Sequence, residues 1–154
     1  MEESRYLVLA ADVRAQLQQI ERIYGLIDER EPIGGVAGME SLAYQLHNLY
    51  GAIEDLFKVV ADAFENNVAP DGGYHAELLR RMTIAVPGIR QGVISAETRA
   101  LLDSLRGFRH VFRHAYARGL DVRRLRIVLE DARAARRPMA RDLEAFLGSV
   151  EVTE

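Results

Sequence analysis

Apolar residues recur every three or four positions through most of the chain, a spacing that places them on one face of an α-helix. The first such segment covers roughly residues 4–29, and a second of similar length runs from Met39 to Phe64. Between them, Pro32 and three glycines in the segment 30–38 predict a break. The stripe of the first segment consists of Tyr6, Leu9, Val13, Leu17, Ile20, Tyr24 and Ile27.

The pattern continues with a turn over residues 66–73, a shorter helix over about 74–85 and a loop over 86–94. Ser95 is typical of an N-cap and predicts the start of a fourth helix. This helix is expected to end near Gly119, because glycine suits a C-terminal cap. Its apolar stripe consists of Leu101, Leu105, Phe108, Phe112 and Ala115.

Asp121 predicts the N-cap of a fifth helix. Pro138 lies inside its apolar pattern and predicts a kink or short break, since proline removes a backbone hydrogen bond and clashes with the preceding turn. The arginine-rich run 132–138 is expected to be solvated. The chain shows no strand-like alternation, repeat or linker, and therefore predicts an all-α fold: one antiparallel bundle of about five helices, with residues 1–154 in a single domain.

Composition narrows the class of protein further. The chain has no cysteine, which excludes disulfides, thiolate chemistry and cysteine-ligated metals. No window approaches the ~20 apolar residues that span a bilayer, so we expect no membrane segment. The N-terminus lacks a basic region and a cleavage-site pattern, so no signal peptide is expected. A cytoplasmic location is the simplest interpretation.

The net charge of -3 conceals a strong asymmetry along the chain. Residues 1–98 carry a charge of -7, whereas residues 99–141 hold 12 Arg and 4 acidic residues, a local charge of +8. Such a region can attract a polyanion to one face of the protein. The only lysine is Lys58, so a compositional bias explains arginine in place of lysine. The bias does not explain why the arginines cluster, and both a solvated face and a polyanion-binding face fit the pattern.

The segment 108–116, FRHVFRHAY, concentrates polar side chains in the fourth helix. On an ideal helical wheel, Arg109 and Tyr116 lie at the margin of the apolar stripe, while His110 and His114 lie one turn apart on the far side. Arg109 and His114 are then separated by about 140°. They converge only if the last turn loosens or if a second chain covers this face.

Three interpretations of these side chains compete. A zinc site on His110 and His114 lacks a cysteine or an intervening glutamate, and His47 and His75 are remote in sequence, so we expect no metal. RNA cleavage needs little more than His for proton transfer and Arg to stabilise the phosphate, because RNA supplies its own 2′-hydroxyl nucleophile. The spacing alone favours the third interpretation, that these are ordinary exposed helix residues.

The segment RHVFRHAY also resembles the signature of HEPN-domain ribonucleases, in which an Arg and an adjacent polar residue are followed after four to six residues by a His. Arg109, His110 and His114 match this signature here. The ending His114–Ala115–Tyr116 is similar to that of HepT-type toxins, although position 110 is His where the commoner HepT pattern has Asn or Asp. The resemblance covers most of the chain and implies a HEPN-like helical fold.

The resemblance also implies an activity. HEPN nucleases are usually dimers whose motif helices meet across a shared cleft, so a homodimer or higher homo-oligomer is expected. By this similarity Arg109 and His114 carry the cleavage of RNA and His110 supports them, without a cofactor. The hypothesis adds RNA binding by three neighbouring arginines, Arg106, Arg113 and Arg118.

HepT-type toxins are partnered by a minimal nucleotidyltransferase antitoxin, which transfers AMP to the Tyr of the motif. The resemblance assigns this acceptor role to Tyr116. A bulky, anionic AMP group beside the cleft would block RNA sterically and repel its phosphates. The alternative is a non-catalytic helical subunit that binds the nucleotidyltransferase and uses the motif only for that contact.

Overall fold

The computed structural model describes residues 1–30, 34–65, 73–115 and 119–154. Within these ranges the chain forms an all-α bundle, as the apolar spacing predicts, and the described residues contain no β-strand beyond isolated bridges. None of the described helices is both long and apolar enough to cross a membrane. The helices are α1 (Glu3–Glu29), α2 (Gly35–Phe64), α3 (Tyr74–Met82), α4 (Ala96–Arg113) and α5 (Val122–Ser149).

The central helix is α2, which contacts all four of the others and contributes most to the shared hydrophobic core. The predicted antiparallel arrangement of the two long early helices is confirmed by hydrogen bonds near one end and in the middle of the pair. Arg5 of α1 reaches the carbonyl of Ala63 at 3.4 Å, and Gln16 reaches the carbonyl of Ala52 at 2.9 Å. Any polar residue on the inner faces of α2 is therefore enclosed by neighbouring helices.

Both predicted N-caps are present. The Ser95 hydroxyl accepts a hydrogen bond from the Thr98 N–H at 3.1 Å, and Thr98 in turn donates to Asp142 of α5 at 2.7 Å. The Asp121 carboxylate accepts from the Arg123 N–H at 2.9 Å. Because these side chains satisfy N–H groups that have no partner within the helix, they fix where α4 and α5 begin.

The end of α4 differs from the prediction. The helix ends at Arg113 rather than near Gly119, and His114 adopts φ -107° and ψ 9°. The His114 N–H donates to the carbonyl of Val111 at 3.2 Å, a tighter three-residue spacing. Gly119 has φ +72°, the left-handed conformation expected of a terminating glycine, and its N–H donates to the carbonyl of Ala115 at 2.6 Å. The regular α-helix therefore stops at Arg113, one residue before His114.

The apolar stripe of α4 is rotated slightly from the predicted one. Leu105 and Phe108 are buried as expected, whereas Leu101, Phe112 and Ala115 are only half-buried. The other buried positions of α4 are Thr98 and Leu102. Thr98 is buried although it is polar, because its hydroxyl is bonded to Ser95 and Asp142.

Of the kink or short break predicted at Pro138, the break is absent, because α5 runs through this residue without interruption. Ala134, whose carbonyl loses its helical partner at Pro138, is exposed, so solvent can satisfy it. The prediction of a solvated run 132–138 is also wrong in part. Ala132 and Ala135 are buried, and Arg136 donates to Glu21 at 2.6 Å and lies 4.9 Å from the centre of the Tyr24 ring.

The loop between α3 and α4 is fixed by a buried ion pair. The side chain of Arg90 is 1% exposed and forms a salt bridge with Glu65, whose side chain is 3% exposed. Arg90 also donates to the backbone carbonyls of Arg81, Ile84 and Gln91 at 2.8–3.0 Å. A buried guanidinium needs this many acceptors, and they hold the loop against the end of α2.

Candidate functional site

The end of α4 carries the four described motif residues. His110, Arg113 and His114 are exposed, and Arg109 is half-buried. The ring centroids of His110 and His114 lie 4.5 Å apart at an angle of 53°, so the two imidazoles form one exposed pair. Tyr116 and Arg118 lie outside the described residues. Proton-transfer groups and a guanidinium are thus presented together on the last turn.

The last turn is attached to the bundle by phenylalanines. Phe108 is 2% exposed, and its ring centroid lies 6.2 Å from that of the half-buried Phe112. Phe112 stacks on His47 of α2, with ring centroids 4.7 Å apart and planes 28° apart. An aromatic contact of this kind is worth about 0.5–1.5 kcal/mol beyond the buried area. Phe112 therefore ties the motif to α2 rather than to the deep core.

Sequence reasoning missed His47, which is 65 positions from Phe112 and was dismissed as too remote for the metal interpretation. A signal that could have drawn attention to His47 was present in the sequence. His47 and Tyr50 lie three residues apart in α2, so they occupy neighbouring positions on one helix face next to the apolar stripe. Which helix this face contacts follows only from the tertiary structure.

The α2 side of the site is electrostatically unusual. Burial, followed by the nearby charges of Arg109 and Arg113, lowers the pKa of His47. The Nδ1 atom of His47 is buried and has no hydrogen-bond partner among the described residues. An imidazolium has two N–H donors to satisfy, so this environment favours the uncharged ring.

Tyr50 shares that environment. Burial and then the Glu54 carboxylate raise the pKa of its hydroxyl, and the charges of Arg106 and Arg109 act in the opposite direction. The Tyr50 hydroxyl also lacks a hydrogen-bond partner in the part of the chain that the structure describes. The phenol is thus a neutral, structural group beneath α4.

The arginines predicted to bind RNA differ in their surroundings. The half-buried Arg106 donates to Asp103 at 2.7 Å and is therefore largely neutralised. Arg109 and Arg113 form no ion pair with any described acidic residue, so their charges remain uncompensated. The cationic character of the motif resides in Arg109 and Arg113.

Three further arginines, which the sequence analysis did not single out, lie in the first turns of α5. The guanidinium of Arg124 lies 3.9 Å from the position that a Cβ atom would occupy at Gly107 of α4. Gly107, His110 and His114 follow an i, i+3, i+7 spacing and share one helix face. Arg124 therefore lies next to the face that carries both histidines. The exposed arginines of the first turns of α5, none paired with a described carboxylate, are Arg123, Arg124 and Arg126.

No cluster of three or more His, Cys, Asp or Glu side chains that would suit a metal ion occurs among the described residues. A cavity of about 630 Å³ lies at the other end of the bundle, between Arg5, Phe64 and the loop 85–91. Phe64 is 17 residues from His47 along α2, or about 25 Å. This cavity therefore does not serve the motif, whose side chains project from the surface.

Comparison with known proteins identifies the family. A family model described as HepT-like protein matches residues 41–150, which include the motif and more than two thirds of the chain. Searches of curated proteins and of solved structures give no significant match. The matched segment begins in α2, just before His47, and ends just after α5. With α3, α4 and α5 and most of α2 inside the matched region, the chain belongs to the HepT-like family of HEPN-domain proteins.

Proposed function

We propose that the protein is a metal-independent endoribonuclease toxin that cleaves RNA at the end of α4. Membership in the HepT-like family supports a HEPN-type toxin with ribonuclease activity in general. The observation that carries the proposal is the exposed His110–His114 pair, 4.5 Å apart, beside two arginines without carboxylate partners. Free imidazoles and free guanidinium groups are the groups that metal-independent RNA cleavage requires.

The reaction is a transesterification within the RNA. His114 assists removal of the proton from a 2′-hydroxyl, whose oxygen bonds to the adjacent phosphorus while the bond to the 5′-oxygen breaks. The leaving 5′-oxygen takes up a proton from water, and His110 assists this transfer. Arg109 stabilises the negative charge that develops on the phosphate. The products are a 2′,3′-cyclic phosphate, which water can open to a 3′-phosphate, and a 5′-hydroxyl end.

The proposed cleft is shared between two chains. Arg109 is half-buried on the side of α2, whereas His114 is exposed on the far side of α4. Arg109 and His114 are separated by about 140° on a straight helix, so a single chain does not bring them together. A second copy of α4 facing the first supplies the complementary group, which supports a homodimer or higher homo-oligomer.

RNA would be drawn to this cleft by its phosphates. Of the three arginines predicted from the sequence to bind RNA, Arg113 is the strongest candidate, because it is exposed and unpaired among the described residues. Arg106 contributes less because Asp103 neutralises it. Arg118 remains part of the proposal although it lies outside the described residues. The basic turn of α5 that includes Arg124 extends the same positive surface.

The proposed partner is a minimal nucleotidyltransferase antitoxin that transfers AMP to Tyr116, in the cytoplasm. The motif ending at Tyr116 and the family membership support this regulation. Incubation with that partner and ATP is expected to raise the intact mass of the chain by whole AMP units. Tyr116→Phe is the matched variant, and an unchanged gain of mass in it would assign the modification to another residue.

The activity is tested by RNA cleavage in excess EDTA with the wild-type protein, Arg109→Ala and His114→Ala. Loss of cleavage in both variants, with cyclic-phosphate or 3′-phosphate ends from the wild type, supports the proposal. Arg141→Ala on the distant part of α5 is the matched control. Full activity of both motif variants would overturn the assignment of the site. A protein that binds the nucleotidyltransferase tightly but never cleaves RNA would support the alternative, a non-catalytic binding subunit.

A further inference from the structure

We infer that His47 is a positioning residue for the motif: its ring, stacked on Phe112, holds the last turn of α4 in place. Phe108 is the last buried residue of α4, and beyond it only the half-buried Val111 and Phe112 contact the core. His110, Arg113 and His114 project from this weakly anchored turn. The ring of His47 lies 4.7 Å from that of Phe112 and is thus a lateral support for the turn.

The support depends on the charge of His47. The charged groups that face this ring are Arg109 and Arg113, both on α4, and the titratable group one turn away on its own helix is Tyr50. A protonated His47 would add a third cation beside two arginines. It would also leave a buried N–H at Nδ1 without an acceptor among the described residues. Acidification therefore weakens the contact between α2 and the motif.

Two substitutions separate the roles of shape and charge. His47→Phe keeps an aromatic ring against Phe112 and cannot be protonated, whereas His47→Ala removes the ring. Tyr44 lies one turn earlier on α2 and is 54% exposed, so Tyr44→Ala is a matched control for truncation of an aromatic residue on this helix. The effect on RNA cleavage rests on the proposed function, but the effect on the geometry of the turn does not.

The first measurement is the NMR spectrum of the His110 and His114 rings in protein with labelled histidine. His47→Ala is expected to shift both ring signals at neutral pH, while His47→Phe and Tyr44→Ala leave them close to wild type. Acidification is expected to shift them further in the wild type than in His47→Phe. Identical signals in the wild type and His47→Ala would overturn the inference, whatever the protein does to RNA.

The second measurement is the pH profile of RNA cleavage. We expect His47→Ala to lower kcat about tenfold with KM changed less than about twofold, because misplacing catalytic groups affects the chemical step more than binding. His47→Phe should retain wild-type kcat at pH 7.5 and lose less activity than the wild type toward pH 5.5. If RNA is cleaved but the wild type and His47→Phe lose the same share of their activity toward pH 5.5, the inference fails and the proposed function stands. If no RNA is cleaved but the ring signals shift as expected, the proposed function fails and the positioning role stands.

Discussion

The hydroxyl group of Tyr24 donates a hydrogen bond to the backbone carbonyl of Ala132 at 2.6 Å, which ties α1 to α5 through the interior of the bundle. Tyr50 of α2 is buried to the same degree, with 0% exposure against 1% for Tyr24, but its hydroxyl has no partner among the described residues. The two phenols thus differ in hydrogen bonding and not in burial. They form a natural pair for measuring what a buried hydroxyl contributes to stability.

Removing these two hydroxyls should have different effects. Tyr24→Phe loses a buried hydrogen bond and is expected to lower the free energy of unfolding by about 1 kcal/mol. Tyr50→Phe removes an unsatisfied polar atom and is expected to leave stability unchanged or raise it by up to about 1 kcal/mol. Urea unfolding of the two variants and the wild type measures the difference. An equal loss in both variants would mean that the Tyr50 hydroxyl is satisfied in solution.

The ion pair of Arg90 and Glu65 leads to a second prediction about stability. Arg90→Met would leave the nearly buried Glu65 carboxylate with Arg81 and remove the guanidinium from three backbone carbonyls, so we expect a loss of about 3 kcal/mol. The matched control is Arg80→Met, which breaks an exposed salt bridge with Glu77 and should destabilise the protein far less. Similar losses in the two variants would contradict the structural role assigned to Arg90.

The features that the sequence predicted well are local. The apolar spacing located the helices, and Ser95 and Asp121 marked where two of them begin, because caps and stripes depend on residues within a few positions of each other. The contact between Arg90 and Glu65 joins a loop to the end of another helix and leaves no periodic signal. The continuity of α5 at Pro138 likewise has no local signal, because tertiary contacts can override a local preference.

The candidate site also contains both features that local spacing predicts and contacts that it does not. Motif spacing predicted that His110 and His114 lie one turn apart, and the structure places their rings together. The stacking of His47 on Phe112 and the approach of Arg124 to Gly107 involve other helices, so they required the tertiary structure. His75 shows the same limit, since its ring nitrogen lies 2.6 Å from the buried Glu54 carboxylate, a partner that spacing does not reveal.

The lowered pKa of His47 makes stability depend on pH. Burial, Arg109 and Arg113 disfavour the protonated ring in the folded state, whereas the unfolded chain takes up the proton near pH ~6.5. The contribution of His47 is therefore fully present above about pH 6.5 and is lost as the pH falls toward the lower folded pKa. Between pH 7.5 and 5, the free energy of unfolding should fall more in the wild type than in His47→Phe.

Chemical unfolding of the wild type and His47→Phe at several pH values measures this difference, since all other titrating groups are common to the two proteins. If the free energies of unfolding of the two proteins change in parallel down to pH 5, then His47 titrates normally in the folded protein. A larger acid loss in His47→Phe would reverse the predicted sign.

The arginines at the start of α5 should affect the salt dependence of RNA binding. Arg123, Arg124 and Arg126 are exposed and have no described carboxylate partner, so each is available to a phosphate. Each phosphate contact to single-stranded RNA adds about 0.7 to the slope of log affinity against log salt concentration. The triple alanine variant is therefore expected to bind RNA more weakly and to lower this slope by about 2.

Binding is best measured in a His114→Ala background, which prevents cleavage during the titration, with a single-stranded RNA and with salt varied around the physiological concentration. Arg141→Ala supplies the control, because Arg141 is equally exposed on α5 but lies 17 residues from Arg124, or about 25 Å along the helix. If arginine content alone governed binding, Arg141→Ala would lower the slope as much as Arg124→Ala. A larger effect for Arg124→Ala would locate the RNA on the surface beside Gly107, where the guanidinium of Arg124 reaches the face of His110 and His114.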